Sequence, residues 1–155
     1  MSGEQTNVVV TRVIDASAED IFRLLSNPER HHELDGSGMV VSDEKTDRIS
    51  AVGDVFTMNM HNDKMGDYKT ENHVTGFDPK KLIAWQTAPA GTEPKGWQWI
   101  WELQDLGPDS TEVTLTYDWS NVTDKETLKK VAFPMVSKDQ LEESLNKLAA
   151  AVSGA

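Results

Sequence analysis

The 155-residue sequence contains no cysteine, which excludes disulfides, thiolate nucleophiles and cysteine-ligated metal centres. It also has no long hydrophobic run, because no apolar stretch approaches the roughly 20 residues that a transmembrane helix requires. Residues 1–5 lack the basic region and the apolar core of a signal peptide. We therefore expect a cytoplasmic protein without membrane insertion.

Basic residues are scarce. The 15 lysines and arginines face 26 acidic residues, which gives a formal net charge of −11. Nucleic acids and anionic membranes recruit proteins mainly through lysine and arginine. This charge balance argues against both classes of partner, and the acidity favours solubility. The length and a hydrophobic content of 37% are typical of one globular domain over residues 1–155.

The first third of the chain predicts a strand and two short helices. Residues 6–15 are rich in β-branched side chains, as strands are. Ser17 is a helix-capping residue ahead of an apolar stripe, and Asn27-Pro28 begins a second helix that we expect to end near Leu34. The string Asp35-Gly36-Ser37-Gly38 then predicts a flexible turn.

The middle of the chain changes to a period of two, which is typical of strands. Six segments separated by short turn sequences are predicted strands: 39–46, 53–61, 67–77, 81–88, 97–106 and 111–119. Short separators join antiparallel neighbours, so the six strands form a meander.

The C-terminal part is helical again. Residues 123–126 resemble a capping box, and the helix that follows is broken at Phe133-Pro134. Residues 137–140 form a second box that starts a long final helix. Its apolar stripe consists of Leu141, Leu145, Leu148 and Val152.

Alternation along the strands fixes their predicted register. We pair the second and third strands of the meander as follows: Met60 opposite Tyr68, Met58 opposite Thr70, and Phe56 opposite Asn72. This register directs Lys69, Glu71 and His73 to solvent, where polar and charged groups are best hydrated. A shift by one residue would bury these three side chains instead.

The later strands continue the same face, which we call the inner face. Its further members are Ile83, Trp85, Trp97, Trp99, Trp101, Leu103, Val113, Leu115, Tyr117 and Trp119. All five tryptophans therefore lie on the inner face. One helix covers only part of such a wide sheet, so the remaining side chains either fill the core or line a cavity.

Several strings, in this order of elements, resemble the SRPBCC/START-type superfamily, within its bacterial polyketide cyclase/dehydrase-like group. They are Arg12-Val13-Ile14-Asp15-Ala16-Ser17, Asp35-Gly36-Ser37-Gly38, Gly53 with Phe56, Met58 and Met60, Ile83-Ala84-Trp85, and Phe133-Pro134 ahead of Leu141, Ser144 and Leu145. The resemblance implies an α+β helix-grip fold: a curved antiparallel sheet of about seven strands around a long C-terminal helix, with two short helices between strands 1 and 2. It also implies a hydrophobic ligand between sheet and helix.

Ligand cavities are mostly apolar and contain a few placed polar groups. The predicted ligand-binding residues are Phe56, Met58, Met60, Tyr68, Thr70, Asn72, Trp85, Trp99, Trp101 and Tyr117. The alternative is that the aromatic and methionine members simply fill the core. The amide of Asn72 either bonds neighbouring backbone or orients a ligand carbonyl or hydroxyl.

Catalytic chemistry has weaker support, since the inner face carries no carboxylate, lysine or histidine in this register. His32 and Asp35, near the expected cavity mouth, are the candidate acid–base residues, although an exposed His31-His32 pair on a polar helix is the simpler interpretation. His61 and His73 are too scattered to predict a metal site. We expect neither a metal nor another cofactor.

Three functions remain open at this point. The first is binding of a hydrophobic small molecule, either a lipid or a polyketide-like compound. The second is a polyketide cyclase/aromatase or dehydratase-type enzyme in which His32, Asp35 or a tyrosine hydroxyl carries the proton. The third is a stress-related protein-interaction domain. The chain is expected to be a monomer or a homodimer.

Overall fold

A computed structural model describes residues 6–44, 48–130 and 136–153 of the chain. The strands are β1 (Asn7–Ile14), β2 (Val40–Asp43), β3 (Val55–Asn62), β4 (Gly66–Asp78), β5 (Leu82–Pro89), β6 (Gln98–Gly107) and β7 (Ser110–Asp118). The helices are α1 (Ala18–Leu25), a 3-10 helix (Pro28–Glu33), α2 (Lys125–Lys130) and α3 (Lys138–Ser153). The predicted strands and helices are therefore present, with ends that differ mostly by one to three residues.

The seven strands form one antiparallel sheet in the order β1-β7-β6-β5-β4-β3-β2. Strands β2 to β7 are neighbours in chain order, which confirms the predicted meander. Because β1 pairs with β7, the first two strands lie at opposite edges of the sheet. The helices α1 and 3-10 therefore connect the two edges, and α3 packs mainly against β1. This is the helix-grip fold with its curved sheet.

Capping side chains start most of the helices where the sequence predicted. The Ser17 hydroxyl accepts a hydrogen bond from the Asp20 backbone N–H at 3.1 Å, as a helix cap does. The Ser137 and Gln140 side chains accept from each other's backbone N–H groups at 3.2 and 2.8 Å, which confirms the second capping box.

The start of α2 differs from the prediction by one residue. Asp124, not Thr123, is the cap, because its carboxylate accepts hydrogen bonds from the Thr127 backbone N–H at 3.2 Å and from the Thr127 hydroxyl at 2.6 Å. A carboxylate is an equally good cap and its charge also favours a helix N-terminus, so sequence alone did not separate two adjacent candidates. The predicted break at Phe133-Pro134 lies outside the described residues.

The predicted register between β3 and β4 is confirmed. The structure pairs Phe56 with Asn72, Met58 with Thr70, and Met60 with Tyr68. The outward side chains differ more than expected: Lys69 is exposed, Glu71 is half-buried, and His73 is half-buried with its Nε2 atom shielded from solvent. His73 therefore lies on the predicted outer face but is less exposed to solvent than that face alone implied.

The turn at residues 35–38 is not the flexible segment that its composition predicted. The Gly36 N–H donates a hydrogen bond to the Ser144 hydroxyl of α3 at 2.9 Å. A Cβ atom on Gly36 would lie 2.1 Å from the Gln140 carbonyl oxygen, so only glycine allows this approach. The turn is therefore fixed against α3. No helix within the described part of the chain is long and apolar enough to cross a membrane.

Candidate functional site

The inner face of the sheet carries all ten residues predicted to bind a ligand, because the strand registers place them on one side. Seven of them are buried: Phe56, Met58, Thr70, Asn72, Trp85, Trp101 and Tyr117. Three are half-buried: Met60, Tyr68 and Trp99. The inner face therefore combines a packed interior with a less covered region.

One aromatic cluster joins the sheet to the 3-10 helix. The ring of His31 stacks on Trp85 with centroids 5.1 Å apart, and it meets Phe56 edge-to-face at 5.2 Å. Phe56 and Trp85 themselves pack edge-to-face at 5.2 Å. The three rings lock the helix onto the sheet, as aromatic pairs in these geometries do.

His31 is a core side chain rather than half of an exposed pair, which corrects that interpretation. Its Nε2–H donates a hydrogen bond to the Leu25 carbonyl oxygen at 2.7 Å. Burial lowers the pKa of His31 to about 4, and the hydrogen bond to Leu25 opposes this fall only in part. The imidazole is therefore neutral near pH 7.

The position of His31 had a signal that our sequence reasoning missed. A 3-10 helix has about three residues per turn, so Pro28 and His31 share one face. Both side chains are buried, whereas the adjacent His32 is exposed. Our sequence interpretation treated the two adjacent histidines as one exposed pair and so did not use this spacing.

A second aromatic cluster lies under β6 and β7. Trp99 stacks on Tyr117 with centroids 4.3 Å apart and an interplanar angle of 15°. Tyr117 in turn contacts Trp119 at 5.4 Å. Tyr117 is fully buried, but Trp99 is only half-buried, so one face of this stack lies nearer to solvent.

Two of the half-buried inner-face residues lie toward one end of the sheet, which we call the hairpin end because it carries the β3–β4 turn. Met60 pairs with both Tyr68 and Val40 there. Met39, also half-buried, approaches Tyr68, whose hydroxyl lies 3.9 Å from the methionine sulfur. The thioethers of Met39 and Met60 and the Tyr68 ring thus remain partly accessible at the hairpin end. Trp99, in the row of Trp85 and Val74, lies six residues farther along the sheet.

The polar groups of the inner face differ in how many of their hydrogen bonds are formed within the protein. The Asn72 amide donates to the Phe56 carbonyl at 3.2 Å and accepts from the Thr87 hydroxyl at 2.7 Å. The Tyr68 hydroxyl accepts a hydrogen bond of 3.4 Å from Asn62, and burial, followed by the charge of Asp35, raises the pKa of Tyr68. The Trp101 Nε1 donor is buried and has no acceptor in the described part of the chain.

The Asp35 carboxylate stabilises a turn through hydrogen bonds. One carboxylate oxygen accepts from the Ser37 N–H at 2.9 Å and from the Ser37 hydroxyl at 2.6 Å, and the other accepts from the Val40 N–H at 2.8 Å. Both oxygens therefore hold the turn between the 3-10 helix and β2. The catalytic roles considered for His32 and Asp35 stay predictions.

No cluster of three or more histidine, aspartate or glutamate side chains suited to a metal occurs within residues 6–44, 48–130 and 136–153. His61 instead pairs with Asp67 at 2.8 Å across the β3–β4 hairpin.

Comparison with known proteins gives matches over most of the chain. A family model described as Activator of Hsp90 ATPase homolog 1-like protein matches residues 15–153. The Uncharacterized protein Rv0088 of Mycobacterium tuberculosis is 34% identical over 106 residues, which cover 68% of this chain and 44% of that protein. The matched segment thus spans less than half the length of this curated relative.

Solved structures resemble the fold at low sequence identity. Protein Ms6760 from Mycobacterium smegmatis has a TM-score of 0.69 and 14% identity, over 96% of this chain and 92% of that one. The Aha1 dimer from Colwellia psychrerythraea has a TM-score of 0.57 and 21% identity, over 96% of each chain. At these identities the likeness establishes the helix-grip fold alone.

Proposed function

Because the chain belongs to the family described as Activator of Hsp90 ATPase homolog 1-like protein, with the SRPBCC-type helix-grip fold of ligand-binding domains, we propose that it binds a hydrophobic small molecule. The ligand lies on the inner face and enters at the hairpin end. A reaction is not part of the proposal, since both oxygens of Asp35 already hold the adjacent turn. The enzyme and protein-interaction alternatives stay predictions.

One observation carries the proposal: the apolar inner face stays partly accessible at the hairpin end. Met60 and Tyr68 are half-buried there, while Met58 and Phe56, which continue the same face inward along β3, are at most 3% exposed. Farther along the face Trp99 is again half-buried. Side chains that only fill a core are close-packed on all sides. An accessible apolar surface that continues into the interior is instead typical of a ligand site.

The polar groups favour an uncharged ligand. The ten predicted contact residues carry no lysine, arginine or histidine that could pair with a carboxylate, and burying an unpaired carboxylate is costly. The Tyr68 hydroxyl is the polar group nearest the hairpin end, whereas the buried Trp101 Nε1–H donor lies in the row of Ile83 and Phe77, nine residues along β4 from Tyr68. Within the lipid or polyketide-like range, an uncharged compound therefore fits this face better than a fatty acid, whose carboxylate would find no cationic partner there.

Isothermal titration with a neutral anthraquinone tests this proposal. We expect saturable one-site binding, and weakening by about tenfold in Trp99→Ala, because loss of a stacking ring removes roughly 1–3 kcal/mol of aromatic and apolar contact. The matched control is Ile100→Ala, the adjacent residue of β6, whose side chain points to the other face of the sheet.

Equal weakening by both variants would indicate a general loss of structure and would count against the inner-face site. Absence of binding to the wild-type protein for the anthraquinone and for a neutral lipid such as a long-chain alcohol would contradict the proposed function itself.

A further inference from the structure

A second concave feature lies at the end of the sheet opposite the hairpin end. It is a groove of about 380 Å³ between α1, the segment before β3, and the β4–β5 turn. Its lining consists of Glu19, Phe22, Arg23, Arg48, Pro79 and Lys80. The ring of Phe22, which packs edge-to-face on Phe77 at 5.5 Å, forms part of this groove and is itself almost fully buried.

The groove has the opposite charge to the protein as a whole. Three of its lining residues are cationic and one is anionic, in a chain whose net charge is −11. Glu19 lies between two of the cations: its carboxylate oxygens are 3.3 Å from Arg23 and 3.6 Å from Lys80. The Asp20 carboxylate also lies 3.9 Å from Arg23, so two carboxylates offset much of the charge on Arg23 and Lys80.

The third cation is fixed by the backbone and not by a carboxylate. The Arg48 Nη1 atom donates to the Arg23 carbonyl oxygen at 2.7 Å and lies 3.0 Å from the Ser26 hydroxyl oxygen. Among the described residues, no carboxylate forms an ion pair with Arg48. A guanidinium held in this way keeps its remaining N–H groups in a fixed orientation, which suits planar recognition of an anion.

Lys80 occupies a backbone position that disfavours it. Its φ angle is 68°, and it is the non-glycine residue with a positive φ in the described chain. Glycine or asparagine is the usual residue in this region, and a lysine there carries a conformational cost. The strained backbone thus holds the Lys80 ammonium group at the rim of the groove.

We propose that this groove binds a small organic anion that carries a phosphate or carboxylate next to an apolar portion. The anionic group contacts Arg23, Arg48 and Lys80, and the apolar portion lies against Phe22 and Pro79. The site is separate from the inner face, so a negative result at one site does not contradict the proposal for the other.

A ¹H–¹⁵N NMR titration with phenyl phosphate tests the site directly, with benzoate and inorganic phosphate as the other two arms. We expect saturable shifts at the backbone amides of Phe22, Arg23 and Lys80, and tighter binding of phenyl phosphate than of inorganic phosphate. A stronger response to benzoate than to phenyl phosphate would assign a carboxylate ligand within the same proposal. Affinity should fall as salt concentration rises, because exposed charges are screened.

Substitutions that remove a positive or a negative charge from the groove make the test more specific. Lys80→Gln should weaken binding by roughly twofold to fivefold, as expected for loss of one exposed charge–charge contact. Lys81→Gln is the matched control, since it removes the same charge from the adjacent residue, which does not line the groove. Glu19→Gln should strengthen binding, because it removes the carboxylate that competes with the ligand.

A further variant separates binding from folding. Lys80→Gly removes the charge and also the strain of a positive φ, so the melting temperature should be equal to or higher than that of the wild-type protein while anion binding weakens. Equal effects of Lys80→Gln and Lys81→Gln, or non-saturable shifts spread over all lysines, would overturn the proposal and indicate general ionic attraction. Failure of this site would leave the anthraquinone titration unaffected.

Discussion

At the residue scale, the sequence specified most side-chain positions through alternation but did not specify the state of each polar group. The inner-face set followed from period-two patterning, and its pairing from the need to keep Lys69 and Glu71 off the apolar side. Alternation carries no information on what lies above the sheet. For that reason the burial of His31, and the backbone hydrogen bond made by Asn72, required the structure.

His31 provides a prediction about pH. Because its pKa falls from 6.5 to about 4 on folding, the unfolded chain binds more protons between these values. The free energy of unfolding is therefore not affected by this titration above pH 6.5. It falls as the pH falls from 6.5 toward 4, by about 3 kcal/mol in total. Urea unfolding between pH 4 and 7.5 measures this dependence.

The His31→Phe variant, which keeps a ring against Trp85, should show a flatter dependence of the free energy of unfolding on pH. The control is His32→Gln, which removes the adjacent exposed histidine and should keep the wild-type slope. An unchanged slope in His31→Phe would mean that His31 is not the buried neutral group described above.

At the element scale, turn and cap chemistry predicted where elements start and stop, because these signals are local. The cap at Ser17 and the capping box at Ser137 were confirmed for this reason. Contacts between segments that are distant in the sequence leave no local signal. The glycine-rich turn before β2 has the composition of a flexible segment, yet it is fixed against α3. Only the distance between Gly36 and the backbone of α3 shows this.

That contact yields the second stability prediction. Gly36→Ala places a Cβ atom 2.1 Å from the Gln140 carbonyl oxygen and 2.8 Å from the Ser144 backbone nitrogen, so the turn and α3 must separate. We expect a loss of about 2–3 kcal/mol in the free energy of unfolding, as for other overpacked contacts, measured by chemical denaturation.

The control is Gly38→Ala in the same turn. Gly38 has a φ of 79°, and a Cβ atom added there would meet nothing within 4 Å, so only backbone strain of about 1 kcal/mol is expected. Equal losses in the two variants would show that the turn responds to backbone strain alone and not to its contact with α3.

At the scale of the whole molecule, the two ends of the sheet differ in chemistry. The hairpin end exposes part of an uncharged aromatic and thioether surface, and the opposite end carries a groove lined by three cations. Overall charge predicted neither feature, since a net charge of −11 does not report how charges are distributed. We propose that residues 1–155 act as one domain with two separate binding regions.

The central claim is that a hydrophobic ligand occupies the inner face and enters at the hairpin end. The most direct measurement is NMR of ¹³C-methyl-labelled methionine during titration with the anthraquinone. Met39 and Met60 are half-buried at the proposed entrance, whereas Met65 is 59% exposed on the β3–β4 turn and serves as an internal control. We predict saturable shifts and ligand contacts at Met39 and Met60 with an unchanged Met65 signal. Shifts at Met65 alone, or none at Met39 and Met60, would contradict the account.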